Sequence, residues 1–197
     1  VVQSENPLTL QALRAYSQGW SEFEGNQTQA LQKLYIDDNP NPIGKKEDLD
    51  FAKDGSTYSK AHAYFHPYFR TFLRDRGYYD IFIFDKRGNC LYTVFKERDF
   101  ATNVVDGEWK DTDLGKVFRD ARDHADPGYV AFYDFAPYAP SNGVPASFIA
   151  SPIFEQGKFV GVIAFQMPIG TLNEVMQRDQ GLGKTGEAFL VGDDFFM

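Results

Sequence analysis

The sequence predicts an α+β domain in which helices cover one face of a five-stranded antiparallel β-sheet. Two patterns lead to this prediction. Short apolar runs separated by turn signals indicate strands, whereas apolar residues spaced three or four apart indicate helices before and between them. The 197-residue chain is 43% hydrophobic and 16% aromatic, which is enough to bury a core.

Three helices are predicted before the first strand. The first is amphipathic and runs from about residue 7 to residue 23, and a second, shorter helix carries Leu31 and Leu34. A turn-rich loop with two Asn-Pro steps follows at residues 36–50. The third helix ends at Gly77, because glycine suits a C-cap position. The apolar stripe of the first helix consists of Leu10, Leu13, Tyr16, Trp20 and Phe23.

Two histidines of the third predicted helix, His62 and His66, stand four residues apart. That spacing lets two imidazoles share a metal ion on one helix face. No acid lies between them, and the sequence offers no obvious third ligand. Packing or surface histidines are therefore the favoured interpretation, and no metal site is predicted.

The stretch "YYDIFIFDKRGNCLYTVFKE", residues 78–97, indicates a β-hairpin, because two apolar runs flank the polar DKRG turn. A helix over about residues 111–124 follows the hairpin, and a last helix is predicted to begin at Pro168. Three further strands lie between these two helices, at about residues 129–135, 147–154 and 158–167.

The predicted sheet carries more large aromatic side chains than a small core requires. Two interpretations stay open: several rings line a ligand cavity, or all of them pack the two faces of the sheet. The loop "APYAPSNGVPA" favours a cavity, because its prolines would hold a rigid flap, residues 136–145, at a strand end where loops commonly carry function. The polar groups expected near the cavity are Asp80, Arg98 and Asp134. The rings are Phe82, Phe84, Phe132, Tyr133, Phe135, Tyr138, Phe148, Phe154 and Phe165.

Three segments resemble the double Cache sensor domains, built from tandem PAS-like modules, of bacterial chemoreceptors and membrane sensor kinases. They are "YYDIFIFDKRGNCLYTVFKERDF", "AFYDFAPYAPSNGVPASFIASPIFEQGKFVGVIAFQMPI" and "GLGKTGEAFLVGDDFFM". The resemblance runs from about Asn6 to Met197 and implies a membrane-distal module followed by the start of a membrane-proximal one. The implied parts are a helical segment and cover at residues 1–77, the distal module at 78–180, and a linker with the first strand of the second module at 181–197.

This resemblance implies an extracytoplasmic input domain, periplasmic or extracellular, of a receptor in the cell inner membrane. A methyl-accepting chemotaxis protein is the first expectation, and a histidine kinase or nucleotide cyclase is the alternative. The chain starts at Val1 and ends in an apolar run and a turn, so we expect a fragment of such a receptor, which forms a homodimer through its N-terminal helix. A dimerising spacer that binds nothing, and acts through Leu10, Tyr16 and Trp20, is the competing hypothesis.

The resemblance also implies where a ligand binds. Amino-acid-sensing members of the family carry an Arg followed by a Trp-Tyr pair, and a Tyr with a nearby Asp. This chain has Arg98 and Asp99 at the first place, without the Trp-Tyr pair, and Tyr133, Asp134 and Tyr138 at the second. Arg98 would bind a carboxylate and Asp134 an ammonium, so amino acids, amines and carboxylates all stay open as ligands. The other residues expected around the ligand are Phe82, Phe135 and Phe148.

No enzymatic function is predicted, and neither a cofactor nor a metal ion is expected. The motif "GLGKTG" resembles a phosphate-binding loop, but it has Arg178 where that motif requires Gly, and it follows a predicted helix instead of a strand. We interpret it as the linker between modules. The net charge of −8, from 28 acidic and 20 basic residues, disfavours nucleic acid and anionic membrane surfaces as partners.

Overall fold

The protein is described by a computed structural model that covers residues 2–170. Within that range no helix is long and apolar enough to cross a lipid bilayer. Most of the helix predicted to begin at Pro168, and the linker and strand predicted at residues 181–197, lie outside the described residues. The helices are α1 (Pro7–Ser21), α2 (Gln27–Gln32), α3 (Thr57–Arg76) and α4 (Asp113–Asp123), and a π-helical turn at Lys33–Asp37 continues α2.

Five strands form one antiparallel sheet in the order β2-β1-β5-β4-β3. The α+β fold with a five-stranded antiparallel sheet and flanking helices is therefore confirmed. The predicted hairpin turn at residues 156–157 joins the two longest strands. The strands are β1 (Asp80–Asp85), β2 (Cys90–Thr93), β3 (Ala131–Pro137), β4 (Pro145–Glu155) and β5 (Lys158–Pro168).

Helices cover both faces of the sheet, so the prediction of a single covered face is wrong. Ile81 and Ile83 of β1 lie in one buried cluster with α1 and α3. Phe82 and Phe84 point to the opposite face, where α4 packs on them. Because successive side chains of a strand alternate between the two faces, a strand that is apolar at every inner position needs cover on both sides.

The helix ends follow the local sequence. Asn6 caps α1 by accepting a hydrogen bond from the Leu8 N–H at 2.9 Å, and Ser56 caps α3 in the same way through the Ser59 N–H at 3.0 Å. Gly77 ends α3 with a left-handed φ of 70°, as predicted. Pro67 lies inside this helix, which is nonetheless assigned as one element.

The two histidines of α3 are core residues. The rings of His62 and His66 stack with centroids 4.2 Å apart, and both are fully buried. The His66 ring contacts the Tyr92 hydroxyl at 2.6 Å and the Glu47 carbonyl at 2.7 Å. Burial lowers the pKa of both imidazoles, so they are neutral packing groups. Among residues 2–170 no group of three His, Cys, Asp or Glu side chains is arranged to hold a metal ion.

Candidate functional site

Two short segments meet at one end of the sheet, on the face that α4 covers. The first is the stretch 97–99, which follows β2. The second is the flap, which the structure narrows from the predicted residues 136–145 to residues 138–144, because β3 ends at Pro137 and β4 begins at Pro145. Each segment has both buried and exposed residues: in the flap Tyr138 and Ser141 are buried, whereas Ala139 and Asn142 are exposed. Asp99 is fully buried, whereas its neighbour Arg98 is exposed. The two segments thus form a wall with different chemistry on its two sides.

Hydrogen bonds tie the flap to the stretch 97–99, and we call this pair of contacts the latch. The Tyr138 hydroxyl donates to Asp99 Oδ2 at 2.5 Å. The Ser141 hydroxyl donates to Glu97 Oε2 at 2.6 Å. Tyr79 secures the second acid from the sheet side, because its hydroxyl donates to Glu97 Oε1 at 2.8 Å. The flap is therefore closed by hydroxyl-to-carboxylate bonds, which are stronger than bonds between neutral groups.

Behind the latch lies a group of polar residues that we call the inner cluster: Asp80, Asp99 and Gln166, which are buried, and Glu97, which is half-buried. Asp80 and Gln166 are register partners on the adjacent strands β1 and β5, so their side chains share one face. Asp80 Oδ1 accepts from the backbone N–H groups of Ile81, Val94 and Phe95, and these distances are 2.7, 2.8 and 3.0 Å.

Three oxygens of the inner cluster have no hydrogen-bond partner among the residues that the structure describes: Asp80 Oδ2, Asp99 Oδ1 and Gln166 Oε1. With the carboxyl groups of Asp80 and Asp99 ionised, all three are buried acceptors. Buried polar atoms are nearly always paired, because an unpaired one loses its hydration without compensation. The cluster therefore has more acceptors than donors.

Burial dominates the electrostatics of the inner cluster. It raises the pKa of Asp99 to about 7, although the Tyr138 hydrogen bond acts in the opposite direction. It raises the pKa of Asp80 as well, and the charge of Asp99 adds to this effect. Desolvation likewise raises the pKa of Glu97. The carboxyl groups thus hold protons at a higher pH than exposed acids do.

Lys96, next to Glu97 in sequence, is a buried cation, but its ammonium lies among aromatic rings. Its Nζ is 4.5 Å from the centroid of the Tyr92 ring and 5.1 Å from that of Phe100. The same ammonium donates to the Thr93 carbonyl. Burial lowers the pKa of Lys96 to about 7, against the opposing charge of Asp80.

The backbone bends on either side of the stretch 97–100. Lys96 and Ala101 both adopt the left-handed region, with φ of 62° and 61°. Residues with a Cβ rarely take this conformation, which costs about 1–2 kcal/mol each. Because the backbone turns at both positions, the side chains of residues 97–100 between them take up defined inward or outward directions.

On the solvent side of the wall lies a cleft of about 380 Å³, which we call the outer cleft. Gln32 of α2 holds one edge of it, since its side-chain amide donates to the carbonyls of Arg98 and Phe100 at 2.9 and 2.8 Å. The Trp109 indole donates to the Arg98 carbonyl at 3.2 Å. The Arg98 guanidinium pairs with Asp37 at 3.1 Å. The lining residues are Thr28, Gln32, Arg98, Thr102, Glu108, Trp109, Ala139, Pro140 and Asn142.

The predicted ligand residues fall into three groups. Arg98 alone forms the first group and lines the outer cleft. The second group lies in the buried interior and consists of Phe82, Asp99, Tyr138 and Phe148. Tyr133 and Phe135 on β3 are half-buried. Asp134 is exposed, its Oδ1 accepts from the Phe135 N–H at 2.7 Å, and it does not line the outer cleft. The structure thus brings Arg98 and Asp99 to opposite sides of one wall.

Neither Tyr133 nor Tyr138 lines either of the two clefts described within residues 2–170. Tyr138 packs on Phe148 with centroids 4.9 Å apart, and Phe148 packs on Phe82 at 6.3 Å. Phe82 in turn stacks on Phe84 at 6.0 Å. None of these rings lines the outer cleft, so in this region the packing interpretation of the aromatic surplus fits the structure.

Sequence reasoning missed most of the polar residues that build the wall. Glu97 and Lys96 belong to the charged run "FKERD", which looks like a solvated turn, whereas the structure buries Lys96 almost completely. Ser141 and Gln166 gave no signal, because only the flap and the pairing of β1 with β5 bring them to the acids. Trp109 stands far from Arg98 in sequence, yet it lies against it.

No protein-family model matches the sequence, and no curated protein matches it significantly. Solved structures do match. The chain is similar to bacterial sensor domains. The histidine kinase DctB sensor domain of V. cholerae shows 15% identity and a TM-score of 0.47, over 84% of this chain and 59% of that one.

Two chemoreceptor domains are similar to a comparable degree. The ligand-binding domain of Pseudomonas aeruginosa PAO1 PctC, in complex with GABA, shows 17% identity and a TM-score of 0.39, over 86% of this chain and 61% of that one. The ligand-binding domain of Pseudomonas fluorescens CtaA, in complex with L-serine, shows 17% identity and a TM-score of 0.43, over 86% and 63%. The chain thus spans less than two thirds of the length of these structures.

Replacing Asp99 by Asn is expected to stabilise the protein increasingly as the pH rises from about 4 to about 8. The Asp99 carboxyl has a pKa of about 7 in the folded protein against an ordinary 3.8. Its bound proton favours the folded state below pH 3.8, and that contribution is lost as the pH rises through 7. The amide variant has no such titration. Each kcal/mol shifts the melting temperature by about 2–4 °C.

Thermal unfolding of both proteins across this pH range measures the difference. Asp126→Asn, which removes an exposed acid from the loop before β3, is the matched control and should show a difference that changes little with pH. A difference for Asp99→Asn that stays constant from pH 4 to pH 8 would contradict the raised pKa.

Proposed function

We propose that this chain is the extracytoplasmic ligand-sensing domain of a bacterial transmembrane signalling receptor, and that it binds a small polar organic molecule. The observation that carries the proposal is the outer cleft, which is bounded on one side by a flap held through the latch. Loops that carry such movable closures on a rigid sheet are common places for ligand binding. The resemblance of the sequence to double Cache domains supports the same role.

The outer cleft has the chemistry of a site for a small polar molecule. Its volume of about 380 Å³ lies within the range of small-molecule sites. Arg98 and Glu108 place opposite charges on its lining, and Trp109 adds an aromatic face. A ligand with a carboxylate would compete with Asp37 for the Arg98 guanidinium, which presents planar paired donors.

Ligand binding can reach the N-terminal helices through α2. Thr28 donates to the Ala101 carbonyl, and Gln32 donates to the Arg98 and Phe100 carbonyls. A shift of the stretch 98–101 therefore pulls on α2, which follows α1 in the chain. Only a ligand that binds the shifted state more tightly can drive such a change.

We also propose that two copies of the domain form a homodimer through the N-terminal helix. The contact surface of this dimer differs from the predicted stripe of Leu10, Tyr16 and Trp20. Tyr16 is fully buried, and Leu10 and Trp20 pack partly buried on the same core. The stripe named for a dimerising spacer thus serves the fold of the chain itself. A helix-to-helix contact between two copies would use the outward polar stripe of α1, which includes Gln11 and Gln18.

We propose that the parent receptor is a methyl-accepting chemotaxis protein. A histidine kinase or a nucleotide cyclase is the alternative class of receptor. The domain would face the periplasm or the extracellular space, with residues 1–77, 78–180 and 181–197 as helical cover, distal module and start of the second module. The sequence of the whole gene tests this placement, because a parent without membrane-spanning segments contradicts it.

A ligand screen by thermal shift tests the site. Amino acids, amines and carboxylates at millimolar concentration are expected to include a compound that raises the melting temperature, since a ligand that binds only the folded state stabilises it. Arg98→Ala and Trp109→Ala should each weaken the affinity for that compound about tenfold or more, which corresponds to about 1.4 kcal/mol.

Arg87→Ala is the matched control for this screen, because it removes an exposed arginine from the opposite end of the same hairpin. It should leave the affinity unchanged. The proposed function fails if no compound of the three classes shifts the melting temperature. The assignment of the outer cleft fails if a compound binds and its affinity survives both cleft substitutions.

A further inference from the structure

We propose that the inner cluster is a binding subsite for a primary ammonium group, so that the ligand of this domain is an organic amine whose charged end lies behind the latch. The inference rests on the proposed function and specifies its ligand class. It starts from the three partnerless oxygens of Asp80, Asp99 and Gln166.

The orientation of Gln166 shows that its orphan atom is an acceptor. The Ser141 hydroxyl donates its hydrogen to Glu97, so its oxygen accepts from Gln166 Nε2, at 3.2 Å. The amide nitrogen is thereby assigned to Ser141, and Gln166 Oε1 is left over. Gln166 is uncharged and only 3% exposed. The excess of hydrogen-bond acceptors in the cluster therefore includes a neutral amide oxygen as well as the carboxyl oxygens.

The three oxygens belong to side chains that lie close together. Asp80 and Gln166 are paired across β1 and β5, and their side chains share a face. The charge of Asp99 acts on Asp80 strongly enough to raise its pKa further. Three hydroxyl donors that face the cluster within residues 2–170 are already engaged: Tyr79 and Ser141 with Glu97, and Tyr138 with Asp99.

A primary ammonium matches this arrangement in number and in charge. It offers three N–H donors and one positive charge to three acceptors, two of which are carboxylate oxygens. The ammonium of Lys96 does not take this role, because it lies over the Tyr92 and Phe100 rings and donates to the Thr93 carbonyl. A metal ion fits less well, since no group of three acidic, His or Cys side chains within residues 2–170 is arranged to hold one.

The latch gives the subsite an entrance. Ala139, Pro140 and Asn142 line the outer cleft, whereas Tyr138 and Ser141 of the same flap contact the acids inside. Moving the flap joins the cleft to the cluster by opening the latch. The latch bonds use Asp99 Oδ2 and Glu97 Oε2, which are not among the three partnerless oxygens, so the latch can close again over a bound ammonium. The ammonium would bring charged donors, which make strong hydrogen bonds to carboxylates. The rest of the ligand would lie in the outer cleft, beside Trp109.

Binding of n-butylamine to the full chain tests the subsite, with tetramethylammonium as a cation without N–H donors and butanol as a neutral compound of similar shape. At constant ionic strength, n-butylamine should raise the melting temperature and the other two should not. Asp80→Asn and Asp99→Asn should each weaken n-butylamine binding at least tenfold, because each places N–H donors where the ammonium needs an acceptor. Asp126→Asn, which removes an exposed charge, should leave it unchanged.

Far-UV circular dichroism of each variant confirms that it folds before its affinity is compared. The inference is overturned if tetramethylammonium stabilises the protein as well as n-butylamine does, if n-butylamine has no effect, or if its affinity survives both amide substitutions. A compound of another class whose binding depends on Arg98 and Trp109, together with no response to amines, overturns the ammonium subsite and leaves the proposed function standing.

Discussion

Replacing Asp80 by Ala is expected to reduce the free energy of unfolding by about 3 kcal/mol. Asp80 Oδ1 accepts hydrogen bonds from three backbone N–H groups, those of Ile81, Val94 and Phe95. Alanine removes this acceptor and leaves buried donors unpaired, which costs about 1–3 kcal/mol for each group that finds no other partner. The Val94 N–H keeps part of its bonding, because it also contacts the Ile81 carbonyl at 3.2 Å.

Asp80→Asn separates this structural role from the charge of the residue. The asparagine side chain keeps an oxygen for the three N–H groups and removes a carboxylate that burial destabilises. We expect Asp80→Asn to lie within about 1 kcal/mol of the parent protein or to be more stable at neutral pH. Urea unfolding of the two variants gives the comparison. Equal destabilisation by both substitutions would show that the charge, and not the backbone contacts, matters.

Tyr16→Ala is expected to cost about 3–5 kcal/mol of unfolding free energy, the range for removing a large aromatic side chain from a core. The Tyr16 ring stacks on Tyr92 with centroids 4.8 Å apart and contacts Tyr58 at 5.3 Å and Phe65 at 6.1 Å. It therefore joins α1, α3 and β2. Its loss leaves a cavity at the point where these three elements meet.

Tyr16→Phe is the matched variant, because it keeps the ring and removes only the hydroxyl. The Tyr16 hydroxyl is buried and has no hydrogen-bond partner among residues 2–170. Removing an unpaired buried polar group relieves a desolvation cost, so this variant should be at least as stable as the parent. Chemical denaturation measures the free energy of unfolding of Tyr16→Ala and Tyr16→Phe relative to the parent protein. A clear loss of stability in Tyr16→Phe would mean that the hydroxyl has a partner after all.

The elements of the fold could be predicted because their signals are local. The hairpin around residues 86–89 and the C-cap at Gly77 depend on a few neighbouring residues. The cover on the second face of the sheet was missed, although "DIFIF" is apolar at both alternating positions, which is itself a sign of burial on two sides.

The site could be predicted only in part, because its chemistry arises from contacts that are distant in sequence. Asp99 meets Tyr138, and Asp80 meets Gln166, through the flap and the strand order. The sequence pointed to Arg98, Asp99 and Tyr138 as neighbours, but it could not indicate that the backbone of 97–99 separates a solvent-facing guanidinium from buried carboxyls. Alternation along an irregular loop has no periodic signal.

The two left-handed residues at Lys96 and Ala101 make the tetrapeptide between them a self-contained unit. Because its ends are fixed by the backbone, substitutions at Glu97, Arg98 and Asp99 change the charge offered to each side, whereas Phe100 belongs to the core. An insertion or deletion of one residue would instead exchange the positions of Arg98 and Asp99, expelling an acid and burying an arginine at the same time. We therefore expect residues 97–99 to tolerate a new side chain more readily than a new length.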